Sequence, residues 1–323
     1  MSAPKSTRLT IGSRGSDLAL WQANRVKELL GNHFPKLIVE ILPIKTKGDK
    51  ILDSPLSKIG GKGIFTREID EALLEGRIDL SVHSLKDLPT LTPDGITIGA
   101  VTEREDIRDV FISHPRRGYR SLDDLPKKAK IATGSLRRKC QLLHYRPDVE
   151  IVDVRGNVPT RLQKLDLSNW DGMILAMAGL TRLGLTDRIT QVVSTDILLP
   201  AVGQGALAIE VRADDERTLE LLSPLSHEAT TIATSAERVL LKYLEGGCQV
   251  PIGAYARTEN GTFRMDALIG SLDGNSIIRG SIHGGVNQAD KLAATLAETL
   301  LQGGGEKILR VIRPLSPSEV PAV

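Results

Sequence analysis

The chain has 323 residues, of which 41% are apolar and 25% charged, the balance of an ordinary soluble globular protein. Its length exceeds what one small core can organise, so two or three domains are expected. A formal net charge of +2 excludes a polyanion partner recruited by the whole surface, and an aromatic content of 3% leaves few platforms for stacking single-stranded nucleic acid, so any anion site must come from local clustering.

Leu9-Thr10-Ile11-Gly12 reads as a first strand and Ser13-Arg14-Gly15-Ser16 as a turn. A helix starts near Asp17, with Ser16 able to cap its free amides and Leu18, Trp21, Val26, Leu29 and Leu30 forming an apolar side. A second strand over 37–44 completes a strand–turn–helix–strand unit, the building block of a parallel sheet. Residues 45–63 hold four glycines and five lysines without regular periodicity, which reads either as a solvated linker or as a mobile basic lid over an anionic ligand. A helix over 64–76 turns Ile64, Phe65, Ile69, Ala72 and Leu73 inward. The strand over 78–82 then runs into His83-Ser84-Leu85-Lys86-Asp87-Leu88-Pro89. Ligands of open α/β sheets sit at the carboxyl ends of strands, which places Lys86 and Asp87 for chemistry, although a Lys-Asp dipeptide taken alone is more commonly a surface pair. A strand over 96–101 leads out of the first domain.

The polar run at 102–109 predicts a hinge before a strand over 110–112. A strand and turn over 131–135 lead into a helix over 136–143 with Ser135 as its cap. Free amides, the positive helix end and the guanidinium forks of Arg137 and Arg138 add up to an anion site; arginines in a first turn oppose the helix dipole, so something negative is expected beside them. Cys140 lies among apolar neighbours in that helix and reads as structural. A strand over 149–154 followed by Arg155-Gly156-Asn157-Val158-Pro159-Thr160-Arg161 repeats the arrangement, so two such turns in neighbouring units would aim at one cleft. A strand over 172–178, a short helix over 180–185 carrying Arg182, a second crossing at 200–205 and a strand over 206–211 returning to the first domain follow. Helices over 214–225 and 227–245 deliver the loop Glu245-Gly246-Gly247-Cys248-Gln249-Val250-Pro251-Ile252-Gly253. Asn260-Gly261 and Asp273-Gly274 are hairpin signals, and an amphipathic helix spans 286–302, so 226–323 reads as a small α+β domain.

A lone thiol on a glycine-rich loop is a nucleophile or an attachment point, and the plain alternative is a small buried residue. Cys140 and Cys248 make neither a zinc spacing nor a disulfide framework, which fits a reducing compartment. The first eight residues have no apolar run after them as a secretory signal requires, and runs such as 206–209 are far too short to span a membrane, so a cytoplasmic protein is expected. Arg14, Lys86, Arg137, Arg138, Arg155 and Arg161 gather at strand ends around one carboxylate, Asp87, which should stay ionised among them. Two α/β domains joined by two crossings suggest a hinged cleft. The residues describe a transferase or lyase acting on a small polycarboxylated or phosphorylated substrate, with Cys248 as a covalent site. A non-catalytic two-domain anion-binding protein would also explain the cleft and the arginines, though neither Cys248 nor Asp87. A nucleic-acid binder using the arginine cluster is the second alternative.

Several segments fall in order along the chain: Ser13-Arg14-Gly15-Ser16 with Leu18-Ala19-Leu20-Trp21-Gln22-Ala23, Gly60-Gly61-Lys62-Gly63, Val82 to Pro89, Ser135-Leu136-Arg137-Arg138, Arg155-Gly156-Asn157-Val158 and Thr160-Arg161-Leu162, Leu199-Pro200-Ala201-Val202-Gly203-Gln204-Gly205 and Glu245 to Gly253. In these the chain resembles the porphobilinogen deaminase (hydroxymethylbilane synthase) family. The resemblance implies two periplasmic-binding-protein-like α/β domains with a hinged cleft, 1–103 with 204–224 and 104–203, plus a smaller C-terminal α+β domain, 225–323. It implies a dipyrromethane cofactor on Cys248 through a thioether, on which four porphobilinogen molecules condense head to tail, each losing ammonia, before water releases hydroxymethylbilane. Asp87 would be the catalytic carboxylate. Lys86, Asp87, Ser135, Arg137 and Arg138 would hold the cofactor, and Arg14, Ser16, Lys62, Arg155, Arg161 and Arg182 the substrate. No metal, nucleic acid or membrane is implied, and a monomer is expected. Each pyrrole brings two carboxylates, which accounts for many arginines without a basic protein, and deamination passes through an electron-poor azafulvene-like cation that a carboxylate stabilises. Two departures stand out: Gly134 where many relatives carry a hydroxyl, and Pro159 where glycine is common, the latter compatible with a first helical turn.

Overall fold

The computed structural model describes residues 8–50, 66–244 and 250–312, the side chains of 49 and 50 excepted. In chain order, β1 (Arg8–Ser13), α1 (Asp17–His33), β2 (Ile38–Pro43), the single turn α2 (Lys47–Lys50), α3 (Arg67–Leu74), β3 (Leu80–Ser84) and β4 (Ile96–Val101) come first. Next are β5 (Asp109–Ser113), β6 (Lys130–Ala132), α4 (Leu136–Tyr145), β7 (Glu150–Val152), α5 (Val158–Leu167), β8 (Gly172–Ala176), α6 (Met177–Arg182) and β9 (Gln191–Val192). The last are β10 (Leu207–Arg212), α7 (Glu216–Leu222), α8 (Glu228–Tyr243), β11 (Ile252–Glu259), β12 (Thr262–Gly270), β13 (Ile277–Gly285), α9 (Ala289–Leu300) and α10 (Glu306–Ile312).

These strands form three sheets, ordered β2-β1-β3-β10-β4, β7-β6-β8-β5-β9 and β11-β12-β13. In the first, β1 pairs in parallel with β2 and β3 while β10 is antiparallel to both its neighbours. The second repeats the plan, with β6, β7 and β8 parallel and β5 antiparallel to β8 and β9. Each α/β sheet thus takes its fourth strand from a crossing that leaves the other: β5 arrives from the first sheet, β10 from the second. The crossings run side by side, with Thr102 N donating to Leu207 O (3.1 Å), Glu105 N to Gly205 O (3.2 Å) and Arg104 Nε to Gln204 O (2.8 Å).

Apolar periodicity explains the packing. Val26 and Leu30 of α1 meet Leu9, Ile11, Leu80 and Val82 of the first sheet. Phe111 and Ile174 lie on one face of the second sheet and Val110 and Leu175 on the other, as strand alternation requires. In the third unit, Ala236 and Leu240 of α8 and Ala293 and Ala297 of α9 cover Phe263 and Met265 of β12. Each fully buried Leu or Phe of this kind contributes on the order of 1.5–3 kcal/mol relative to exposure.

Boundaries differ from the sequence reading where glycine or apolar runs blur them. Of the helix expected over 64–76, α3 is realised, and Ile64 and Phe65 lie outside the described residues. The apolar run Met173 to Ala178 hides the point where β8 yields to α6, which starts at Met177 rather than at 180. The helix expected over 214–225 is α7 followed by a 3-10 turn at Ser223–Leu225, where Pro224 cannot continue the helix. The single helix expected over 286–302 is a 3-10 turn, Val286–Gln288, then α9, and after a wide turn at Leu301–Gly305 the chain re-enters a helix as α10. Gly304 adopts φ 115° at that break, which its missing Cβ permits. Asn260 and Gly261 both have positive φ (49° and 74°), the pair a two-residue hairpin turn needs. Among the described residues no helix is long and apolar enough to cross a membrane.

Candidate functional site

Two apolar anchors shape the turn after β3. Leu85 and Leu88 are buried against Val101, Ala206 and Ala208, and Leu85 N donates to Ala206 O at 3.0 Å. Gly203, at φ 71°, packs so closely on Leu85 that a Cβ there would lie 2.8 Å from Leu85 Cγ. With its flanks clamped, the turn leaves Lys86 half-buried and Asp87 exposed at the strand end. Beside it, Ser16 accepts from Ala19 N at 3.4 Å and caps α1, and Arg14 lies near enough to His83, together with burial, to lower that imidazole to about 4.

The parallel neighbours β6 and β7 set two helix N-termini side by side, as expected. Ser135 accepts from Arg138 N (3.4 Å) at the start of α4, and Asn157 from Thr160 N (2.9 Å) at the start of α5, with Pro159 in that first turn. Gly134 is what lets these turns approach, because a Cβ there would lie 2.7 Å from the Val154 carbonyl oxygen and 3.1 Å from Asp153 Oδ1. Arg161 Nε donates to Gly156 O at 2.8 Å, and Arg155 lies 3.7 Å from Asp153.

Arg137 and Arg138 are buried, at 4% and 6% exposure. The negative partner that first-turn arginines call for is in part the protein's own: Asp109, fully buried at the start of β5, accepts from Arg137 Nη1 and Arg138 Nη2, both at 2.8 Å. Burial would raise the Asp109 carboxyl, but the two guanidiniums outweigh it and hold it well below the usual carboxylate range. Arg137 Nη1 also reaches Leu199 O (2.6 Å) and Arg138 Nη1 reaches Ile174 O (3.0 Å), while the Nε groups of Arg137, Arg138 and Arg155 are buried with no hydrogen-bond partner.

The two sheets bring their charges into one field. Burial, with Arg138 and Arg137, lowers Lys86 to about 8 against the opposing pull of Asp87 and Asp109. Burial, then Arg138 and Arg155, lowers Arg161 to about 10, with Asp87 and Asp153 opposing. Asp87, in the turn after β3, therefore lies in the field of Arg161 on α5. Arg182 stands apart: it donates to Glu105 Oε1 and Gly205 O, both at 2.9 Å, and its guanidinium lies 5.8 Å from the Trp21 ring centroid, so it braces the crossings. Cys140 is fully buried, donates to Arg137 O at 3.2 Å, and burial pushes its thiol up to about 12, the inert behaviour expected of it.

Cys248, Lys62 and residues 51–63 of the expected lid lie outside the described residues. The flanks of the Cys248 loop are placed, however. Ala254 N donates to Pro200 O at 3.0 Å, and a Cβ on Gly253 would meet Leu199 O, the carbonyl that accepts from Arg137, at 3.0 Å. The third unit is also tied to the crossings by Glu237 of α8, fully buried, which accepts from Arg104 Nη1 (2.6 Å) and Nη2 (3.1 Å) and from Gly203 N and Ala256 N (both 2.7 Å). The sequence reading missed Glu237, although one acid on the apolar stripe of Ala233, Ala236 and Leu240 was a readable signal. It also missed Asp109 and the role of Gln204; nothing in the run Arg104-Glu105-Asp106-Ile107-Arg108-Asp109 marks which carboxylate turns inward.

The chain matches the family model "Porphobilinogen deaminase, dipyromethane cofactor binding domain" over residues 9–220 and "Porphobilinogen deaminase, C-terminal domain" over residues 231–302. It is similar to the porphobilinogen deaminase of Chloroherpeton thalassium, 51% identical over 309 residues, covering 94% of this chain and 98% of that one. Its similarity to the porphobilinogen deaminase of Geotalea uraniireducens is 52% over 301 residues, 93% of each chain. Among solved structures, the periplasmic aliphatic sulphonate binding protein SsuA from Escherichia coli aligns with a TM-score of 0.40 at 14% identity, over 75% of this chain and 71% of that one.

Proposed function

The chain belongs to the porphobilinogen deaminase family, and from that premise we propose how its residues divide the work, with Asp87 as the catalytic carboxylate. The enzyme is a transferase of tetrapyrrole biosynthesis that condenses porphobilinogen stepwise on a covalently held dipyrromethane primer, releasing ammonia and, after hydrolysis, hydroxymethylbilane. The observation that supports the site assignment is the exposed Asp87 in the field of Arg161, which itself lies in the field of Arg138 and Arg155, two arginines whose Nε groups are buried without a hydrogen-bond partner.

Those orphaned donors fit the primer's carboxylates. Lys86, Ser135, Arg137 and Arg138 would hold it, with Cys248 as its attachment point. When bound, the primer supplies a covalently anchored pyrrole nucleophile. Arg14, Ser16, Lys62, Arg155 and Arg161 orient porphobilinogen through its acetate and propionate groups, bidentate pairing being the strength of guanidinium. Arg182 acts with them by bracing the crossings. Asp87, set at the strand end beside these cations, stabilises the positive charge that develops on the substrate pyrrole as ammonia leaves.

The three sheets support division into 1–103 with 204–224, 104–203 and 225–323 as domains. We assign the protein to the cytoplasm as a monomer; sedimentation should give the one-chain mass, and a stable dimer refutes that assignment. The test of the catalytic role is Asp87→Asn. The variant should fold and retain its cofactor mass while turnover falls by about 100-fold or more. Near-normal turnover with cofactor present defeats the role of Asp87.

A further inference from the structure

Lys86, in the turn after β3, and the Arg137–Arg138 pair, on α4, belong to different α/β units, yet one buried run of side chains joins them. Asp109 Oδ2 accepts from Arg137 Nη1 and Oδ1 from Arg138 Nη2, and the same Oδ1 accepts from Gln204 Nε2, all at 2.8 Å. Gln204, 1% exposed, also donates from Nε2 to Ile107 O (2.7 Å) and accepts at Oε1 from Lys86 Nζ (3.3 Å). Both N–H groups and the oxygen of its amide are thereby used, so its orientation is fixed. Asp109 stands where the first crossing enters the second sheet, and Gln204 belongs to the second crossing.

We propose that Asp109 and Gln204 are positioning residues for the deaminase reaction, which aim the cations of both sheets at one anionic ligand from behind, through Arg137, Arg138 and Lys86. This rests on the roles assigned above to those three cations. One carboxylate set against two guanidiniums takes up one Nη of each and leaves the pair net positive, with both Nε groups buried and without a hydrogen-bond partner. Without Asp109 the two buried guanidiniums would repel each other and lose their common orientation. Gln204 transmits that placement to the other sheet. Lys86 is faced by Asp87 on its own turn, by Arg137 and Arg138 on α4 and by Asp109 on β5, and its lowering to about 8 leaves it titratable near working pH.

The test is the pH dependence of porphobilinogen turnover by holoenzyme variants whose cofactor content is checked by intact mass. Gln204→Met keeps volume and the Asp109 charge but removes the link to Lys86; KM should rise about tenfold, with kcat changed less. Asp109→Asn removes a carboxylate that supports the Lys86 charge, so the alkaline limb of kcat/KM should move to lower pH. A purely structural role would shrink the active fraction and leave KM and that limb in place, and either result in a folded variant overturns the proposal. Should Asp109→Asn fail to fold, the KM of Gln204→Met decides alone. Lys86→Gln separates the role of the cations from the role of the residues behind them. If it leaves KM unchanged, the cation roles fall and the proposal with them. A raised KM in Lys86→Gln beside an unchanged one in Gln204→Met overturns the positioning role only.

Discussion

Glu210 of β10 offers a stability prediction that can be worked from the structure. It is 3% exposed, and its Oε2 lies 3.4 Å from His83 Nε2 without a hydrogen-bond partner. Burial, then the nearby Asp70 carboxyl, raises Glu210 to about 8 from an ordinary 4.5, against the pull of Arg238. Burial, then Arg14, lowers His83 from 6.5 to about 4. At neutral pH both groups are therefore uncharged, and their contact is not an ion pair. The folded state keeps a proton on Glu210 that the unfolded chain releases, so this group's contribution is fully present below pH 4.5 and is lost as pH rises through 8. His83 works in the opposite sense, its contribution growing from about pH 4 to 6.5. Above 6.5 Glu210 is the one of the two whose contribution still changes by more than a fraction of a pH unit's worth. From pH 6.5 to 8, at about 1.4 kcal/mol per unit, it should remove about 2 kcal/mol of stability. Glu210→Gln abolishes that loss. Urea unfolding followed by tryptophan fluorescence at pH 6.5 and 8.0 should show the wild type declining about 2 kcal/mol more than the variant. A difference below about 0.5 kcal/mol would refute the buried neutral carboxyl.

Glu237→Gln leaves the nearly buried Arg104 without its carboxylate and should lower unfolding free energy by about 3 kcal/mol; a loss under about 1 kcal/mol in chemical denaturation would show that the pair does not fix the third unit to the crossings. Gly134→Ser forces a Cβ towards the Val154 carbonyl and should lower stability by about 1 kcal/mol, read as a falling Tm, while an unchanged Tm means the neighbouring turns can part freely. Cys140, buried with its thiol pushed up to about 12, should resist maleimide in the native protein and label only after denaturation; rapid native labelling at that position would contradict its burial.

Much of the α/β architecture was legible because strand and helix periods alternate cleanly and because Ser16, Ser135 and Asn157 mark helix starts. The return of the strand at 206–211 to the first domain was also expected, whereas the strand order within each sheet was not, and β9 is only two residues long. At the site, Asp87, Lys86 and the two arginine-bearing helix starts could be read from their place at strand ends. Their support could not: Asp109 sits in a run of alternating charges, and its burial follows only from the register of β5 against β8. Arg182 illustrates the converse. The family resemblance implied a substrate contact for Arg182, while its contacts with Glu105, Gly205 and Trp21, distant in sequence, could not be read from the chain.

The roles proposed above require that this chain carry its own primer on Cys248. Intact mass spectrometry of purified, active protein tests it most directly. An added mass of two pyrrole units, absent from Cys248→Ala, is the expected result. An active protein at its unmodified mass would contradict it.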